Sequence, residues 1–200
     1  MASSTVVIGP AHGLSLELAD RLDGVVEQRG RPLPSDAAAA VVIVGADPPE
    51  PSEVATLSGE AWHRMVDEIM WDALSALQRA RSAFGLQGGR IVVVVPTIGM
   101  AGAAGLVAYT TALEGIRAMS KSAARQWALQ GIGVNLVAVP LSMFTDDERA
   151  AAGHLTAAAV ADDSTLVHTI AESVKFLLRP DMKHLAGETI VADGGSVMLP

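Results

Sequence analysis

The run Ile91–Val95, IVVVV, constrains this chain more than any other feature. Five consecutive β-branched residues cannot alternate between core and water. A strand built from them is buried on both faces. Similar runs recur: Thr5–Ile8 (TVVI), Ala39–Val44 (AAVVIV), Gly133–Val139 (GVNLVAV) and Glu188–Ala192 (ETIVA), with a short further strand possible in Gly24–Gly30. Between them lie stretches of helical period. Leu14, Leu18 and Leu22 are spaced by four. Met65, Ile69, Ala73, Leu77 and Phe84 mark a long helix over 60–84, opened by Ser58 as a cap. Ala112, Ile116, Met119, Ala123 and Trp127 mark a second over 108–130, and Ser164–Leu178 forms a third. The glycine-rich GMAGAAG reads as a flexible loop, DAAAA as a strand entry and RAAAGHLTAAA as helix. Strands buried on both faces and alternating with helices give a mostly parallel sheet covered on both sides. With right-handed crossovers the fold class is α/β, a Rossmann-like doubly wound three-layer domain spanning residues 1–200.

Composition excludes several functions. The chain has 200 residues, half of them hydrophobic, enough for one well-buried domain. Its formal net charge is −8 and it has no basic cluster, which argues against nucleic acid. It has no cysteine, so disulfides, thiolate metal sites and a cysteine nucleophile are absent. No apolar run reaches ~18 residues, so no membrane span is expected. The start, MASSTVVIGPAHGLS, does not resemble a signal peptide. The expectation is a soluble cytoplasmic protein.

Several motifs occur in a recognisable order. A glycine-spaced turn, Gly9-Pro-Ala-His-Gly13-Leu-Ser15, follows the first strand. GRIVVVV precedes a glycine loop. Ala108-Tyr109 opens a long helix, then come GIGVNLVAV and LAGETIVADGGSVM. In this order they resemble the short-chain dehydrogenase/reductase family, most clearly over residues 89–139 and 176–198. The resemblance implies a Rossmann fold, a nicotinamide cofactor, hydride transfer at a carbonyl or alcohol carbon, and oligomers built through the two long helices. It also implies four reacting side chains. A tyrosine serves as acid or base, a lysine lowers its pKa, a serine positions the substrate oxygen, and an asparagine supports a proton relay.

The chain departs from that set. Tyr109 matches the tyrosine, but the lysine position four residues on is Leu113. Residues i and i+4 share a helix face, and leucine supplies no charge there; a tyrosine in water titrates near pH 10. Lys121 is about three turns further along, ~18 Å away. The serine position is Pro96, with Thr97 beside it as the one hydroxyl that could substitute. The asparagine position, in WHRMVDEIM, is Ile69. In the cofactor turn Gly9 and Gly13 match and Ser15 replaces the third glycine, while Pro10 removes one N–H. Only some 30 residues separate Gly13 from Gly45, which implies that one or two βα units are missing where the adenine and its ribose would be walled. Glu27 is the sole candidate for ribose selection. The family's NNAG reads Val44-Gly45-Ala46-Asp47, and its PG reads Val139-Pro140.

The other candidates have ordinary readings. His12 is a loop histidine near a potential anion site. His63, His154, His168 and His184 show no metal spacing. His63 and Asp67 form a helix-surface pair, and Asp146, Asp147 and Glu148 an acidic helix start. No serine, Ser142 included, sits in a G-x-S-x-G elbow.

Three functional expectations follow. The first is a degenerate family member, cofactor-free and non-catalytic, that assembles with a homologous active subunit through helices 60–84 and 108–130. Its apolar faces there (Met65, Ile69, Leu77; Ile116, Met119, Trp127) would serve an interface as well as a core. The second is an atypical NAD(P)-dependent oxidoreductase using Tyr109 and Thr97, with Gly9, Gly13 and Ser15 at the cofactor. The third is a small-ligand-binding regulatory protein using the cleft at the carboxyl ends of the strands.

Overall fold

A computed structural model describes residues 4–11, 13–28, 30–34, 37–44, 48–145, 158–160 and 162–198. Six strands form one parallel sheet: β1 (Ser4–Ile8), β2 (Val25–Glu27), β3 (Ala37–Ile43), β4 (Gly89–Pro96), β5 (Ile132–Val139) and β6 (Thr189–Val191), in the spatial order β2-β1-β3-β4-β5-β6. The helices are α1 (Leu14–Arg21), α2 (Gly59–Ala83), a short α3 (Ile98–Ala101), α4 (Val107–Trp127) and α5 (Leu166–Leu178). Among the described residues no helix is long and apolar enough to cross a membrane.

The strand pattern explains the sheet. In β4, Ile91, Val93 and Val95 point into one core, together with Ala73, Leu77, Ala80 and Phe84 of the α2 segment and Ile116 and Ala124 of α4. Val92 and Val94 point into a second core with Leu14 and Leu18 of α1 and Ile170, Val174 and Leu177 of α5. The same alternation runs through β1, β3 and β5. Because the side-chain period of a strand is two, a run that is apolar at every position needs an apolar partner on each side. The three-layer α/β/α arrangement expected from the sequence follows from this.

The helix ends follow their sequences. Ser58 caps α2 by accepting a hydrogen bond from the Ala61 N–H at 3.1 Å, and Glu60 pairs with Arg64 one turn on. The helix expected over 108–130 ends as α at Trp127 and closes with a 3-10 turn, Ala128–Gln130, into left-handed Gly131. Ser164–Leu178 begins with a 3-10 turn before α5. The expected flexible loop GMAGAAG needs correction: its first residues, with Ile98, form α3, hydrogen-bonded back to Thr97 through the Met100 N–H at 2.9 Å. DAAAA enters β3 as expected. RAAAGHLTAAA lies outside the described residues except for Ala158 and Ala159, which are not helical.

The shortening shows at the β2 edge. From Glu27 the chain reaches Ala37 of β3 with no helix among the described residues of the connection. Arg79, on α2, holds that connection: its Nη2 donates to the carbonyls of Gln28 and Arg31. Leu33 from the same segment packs on the α2 core.

Candidate functional site

The carboxyl ends of the strands gather the positions singled out in the sequence. Tyr109 lies in the first turn of α4 and is 0% exposed. It belongs to a third apolar cluster with Ile98 of α3, Leu106 just before α4, Leu113 of α4 and Leu141 after β5; Met65, Ile69 and Ala103 pack around it. Three of the four positions at which the family pattern places reacting groups, occupied here by Tyr109, Leu113 and Ile69, therefore meet in one cluster. None of the cluster's other side chains carries a charge.

Local sequence builds this plug. Gly99 allows it: a Cβ there would lie 2.7 Å from Leu113 Cβ, so only glycine lets α3 sit against α4 at Leu113. Pro96 ends β4 opposite Val139, and the Thr97 N–H donates to the Val139 carbonyl at 2.8 Å. The Thr97 side chain is 0% exposed and its hydroxyl has no hydrogen-bond partner. The proline-rich segment before α2 closes over the same region. The Ser52 N–H donates to the Gly105 carbonyl at 2.9 Å, and Pro51 Cβ occupies the place a Gly105 side chain would need.

The glycine turn after β1 is a separate feature. Gly13 adopts φ +51° and leads directly into α1, with open space where its side chain would be. Leu16 and Glu17 donate their N–H groups back to its carbonyl. Ser15 turns its hydroxyl inward. A Cβ on Gly9 would lie 2.7 Å from Ser15 Oγ and 3.0 Å from Ile43 Cβ, so Gly9 is glycine because Ser15 and Ile43 fill its side-chain space. Ser15 is 1% exposed, and its Oγ has no hydrogen-bond partner. Glu27 stands at the end of β2 beside Ile8, and its carbonyl accepts from the Gly9 N–H at 3.4 Å. His12 and the Gly45-Ala46-Asp47 stretch lie outside the described residues, as do His154, Asp146, Asp147 and Glu148.

The remaining candidates are dispersed. His63 and Asp67 form an exposed pair, 3.8 Å apart, on the outside of α2. Among the described residues no group of His, Asp and Glu could hold a metal ion. Ser142 sits in a 3-10 turn after β5. Shifted pKa values occur at the exposed surface groups Asp162, Glu172, Arg179 and Asp181. Asp181 is held low by a hydrogen bond from Arg179, Glu172 by one from Lys175, and Asp162 by hydrogen bonds from Ser164; Arg179 is raised by Asp181.

Two buried polar residues act structurally, Asn135 and Asp193. Asn135 of GIGVN is buried in β5, where its amide donates to the Leu185 carbonyl and its oxygen accepts from the Glu188 N–H, both at 3.0 Å. It ties the approach to β6 onto β5. Asp193 of DGG accepts from the Gly195 and Val197 N–H groups and folds the turn after β6. An aspartate followed by two glycines is itself a turn signal; nothing local marks Asn135.

Comparison with known proteins agrees with the architecture. Residues 35–197 match a family model described as enoyl-(acyl carrier protein) reductase. The chain is 35% identical over 118 residues to the 3-oxoacyl-[acyl-carrier-protein] reductase of Vibrio harveyi, covering 56% of this chain and 47% of that protein. It is 30% identical over 151 residues to the enzyme of the same name from Escherichia coli (strain K12), covering 72% of this chain and 60% of that protein. The chain thus spans about half the length of the curated relatives it matches. Among solved structures, acetoin dehydrogenase from Enterobacter cloacae superposes with a TM-score of 0.69 at 18% identity, over 98% of this chain and 95% of that one; at that identity the likeness is one of fold. The family match over residues 35–197, the parallel six-stranded sheet and the ordered motifs lead to one conclusion: the chain belongs to the short-chain dehydrogenase/reductase family.

Proposed function

We propose that this chain is a member of its family that has lost the reaction and kept the fold, serving as a non-catalytic structural or regulatory subunit beside an intact homologous subunit. One observation carries the proposal: Tyr109 is fully buried among Ile98, Leu106, Leu113 and Leu141. A general acid or base must come within hydrogen-bond reach of its substrate and be tuned by a neighbour. Tyr109 has a leucine where the tuning cation would stand, and no exposed surface through which a substrate could reach it.

The dinucleotide end agrees. The glycine turn keeps the left-handed Gly13, but Ser15 occupies the underside of the turn. The wall beside Glu27 is an arginine-pinned connection rather than a helix. Leu113 and Pro140 replace the groups that would face the nicotinamide. These residues do not fit a dinucleotide held for hydride transfer. The long helices α2 and α4 would supply the assembly face; Leu77 and Ile116, expected to serve it, are buried in the chain's own core, while Trp71 is exposed on α2.

The test is a turnover assay with NADH and NADPH over a panel of ketones and thioester-linked 3-oxoacyl groups, with oligomeric state read by light scattering. The expected result is no hydride transfer by the chain alone, together with a mixed assembly when an intact family member from the same cells is added. Turnover that Tyr109→Phe abolishes would establish the oxidoreductase reading instead. A small molecule, not a dinucleotide, that raises the melting temperature and binds among the strands' carboxyl ends would favour the ligand-binding reading.

A further inference from the structure

A large groove lies at the pole opposite Tyr109, where the strands begin. It is a groove of about 790 Å³ between the turn leaving α4, the start of β5 and the segment after α5. Glycines make it: Gly88, Gly89, Gly131 and Gly133 line it without side chains. Gly88 must be glycine, since its φ is +72° and a Cβ would lie 2.7 Å from the Gly131 carbonyl oxygen. The walls are apolar, with Ala124, Ala128, Leu129, Ile132, Leu178 and Leu185. Leu129 is fully exposed on the rim.

The charge of this groove opposes that of the molecule. The chain carries 22 acidic against 14 basic residues, yet the described lining residues include Arg90 and Lys183 and no carboxylate. The nearby Asp181 is engaged by Arg179. Arg90 is held rigidly, its Nη1 on the Gly89 and Gly131 carbonyls and its Nη2 on the Pro180 carbonyl, each at 3.0 Å. These bonds fix a full positive charge in place without cancelling it. Lys183 is exposed and free to swing over the opening.

We propose that this groove binds an amphiphilic anion, a medium-length alkyl chain ending in a carboxylate. The chain would lie along the apolar wall, with the carboxylate between Lys183 and the fixed charge of Arg90. An apolar cleft of several hundred cubic ångströms with a few convergent polar groups is the usual form of a small-ligand site. A charge-assisted contact at the opening supplies orientation. Neither the glycine turn nor the Tyr109 cluster takes part, so the site is independent of the lost reaction.

The probe is dodecanoate, titrated calorimetrically below its micelle concentration into the full chain, with dodecyltrimethylammonium as the opposite-charge control. The expected result is saturable 1:1 binding of dodecanoate and much weaker binding of the ammonium. Lys183→Glu should weaken dodecanoate about tenfold, and Ala186→Trp, which fills the groove from an exposed position, should abolish binding. Both variants change exposed side chains, and an unchanged circular dichroism spectrum and melting temperature confirm that they fold. Equal binding of both amphiphiles would overturn the proposal, as would no binding of either. Dodecanoate affinity untouched by Ala186→Trp would place the ligand elsewhere and equally overturn it.

Discussion

Leu113 decides what Tyr109 can do. It is 1% exposed and packed against the tyrosine cluster. Restoring a lysine there would place an ammonium in an apolar pocket with no carboxylate among the cluster residues. Burial disfavours the charged form. Leu113→Lys should therefore destabilise the fold by about 3–5 kcal/mol in urea unfolding, the range for an uncompensated buried charge, and should confer no NADH oxidation. Wild-type stability in that variant would mean that water and counter-charge reach the position. Gly9 gives a second test at the same scale. Gly9→Ala forces its new methyl against Ser15 Oγ and Ile43, an overpacking expected to cost about 1–3 kcal/mol. Adding Ser15→Gly should recover part of that loss, although Ser15→Gly alone weakens α1 by about 0.5–1 kcal/mol. A double-mutant cycle showing no coupling would separate the two residues. The replacements at 69, 96 and 113 could be read directly from spacing. The complete burial of Tyr109 could not, because it depends on Ile98 and Leu141, which reach it from the ends of different strands.

At the level of elements, the parts easiest to read were those whose pattern is locally complete. IVVVV has one stable environment, a strand with apolar layers on both sides, and the structure supplies both. Ser58 and Glu60 announced the start of α2. Element ends were harder. GMAGAAG has a loop composition, yet Ile98 anchors α3 in the tyrosine cluster, and tertiary packing overrides the glycines. The connection from β2 to β3 gives no sequence sign that Arg79, some fifty residues away, will hold it. Asn135 belongs here too. It joins β5 to the approach to β6 by two hydrogen bonds from a position that is 1% exposed. Asn135→Ala leaves the Leu185 carbonyl and the Glu188 N–H without that partner, and should cost about 2–4 kcal/mol. Hydrogen exchange should locate the loss, with protection falling first at 185–191. A uniform loss across the sheet would contradict a local clasp.

For the whole molecule, fold and reaction come apart under the proposed function. The two cores flanking the sheet are intact, while the residues that would react are aliphatic or buried. The resolved carboxylate shifts, at Asp162, Glu172 and Asp181, lie at exposed side chains and are all downward. A depressed carboxylate adds stability above its unfolded value, near pH 4, and that stability is lost as pH falls through the folded value. Thermal stability should therefore be insensitive to these groups from pH 5 to 8. Their contribution should decline only on acidification below about pH 4 and should be reduced further by salt. A steep loss between pH 5 and 8 would point to a buried titrating group other than these carboxylates. Whether the chain has lost its dinucleotide site, as proposed above, is decided by calorimetric titration with NADH and NADPH. No saturable heat is expected with either cofactor up to millimolar concentration. Micromolar binding of either would contradict it and return Tyr109 and Thr97 to the reaction.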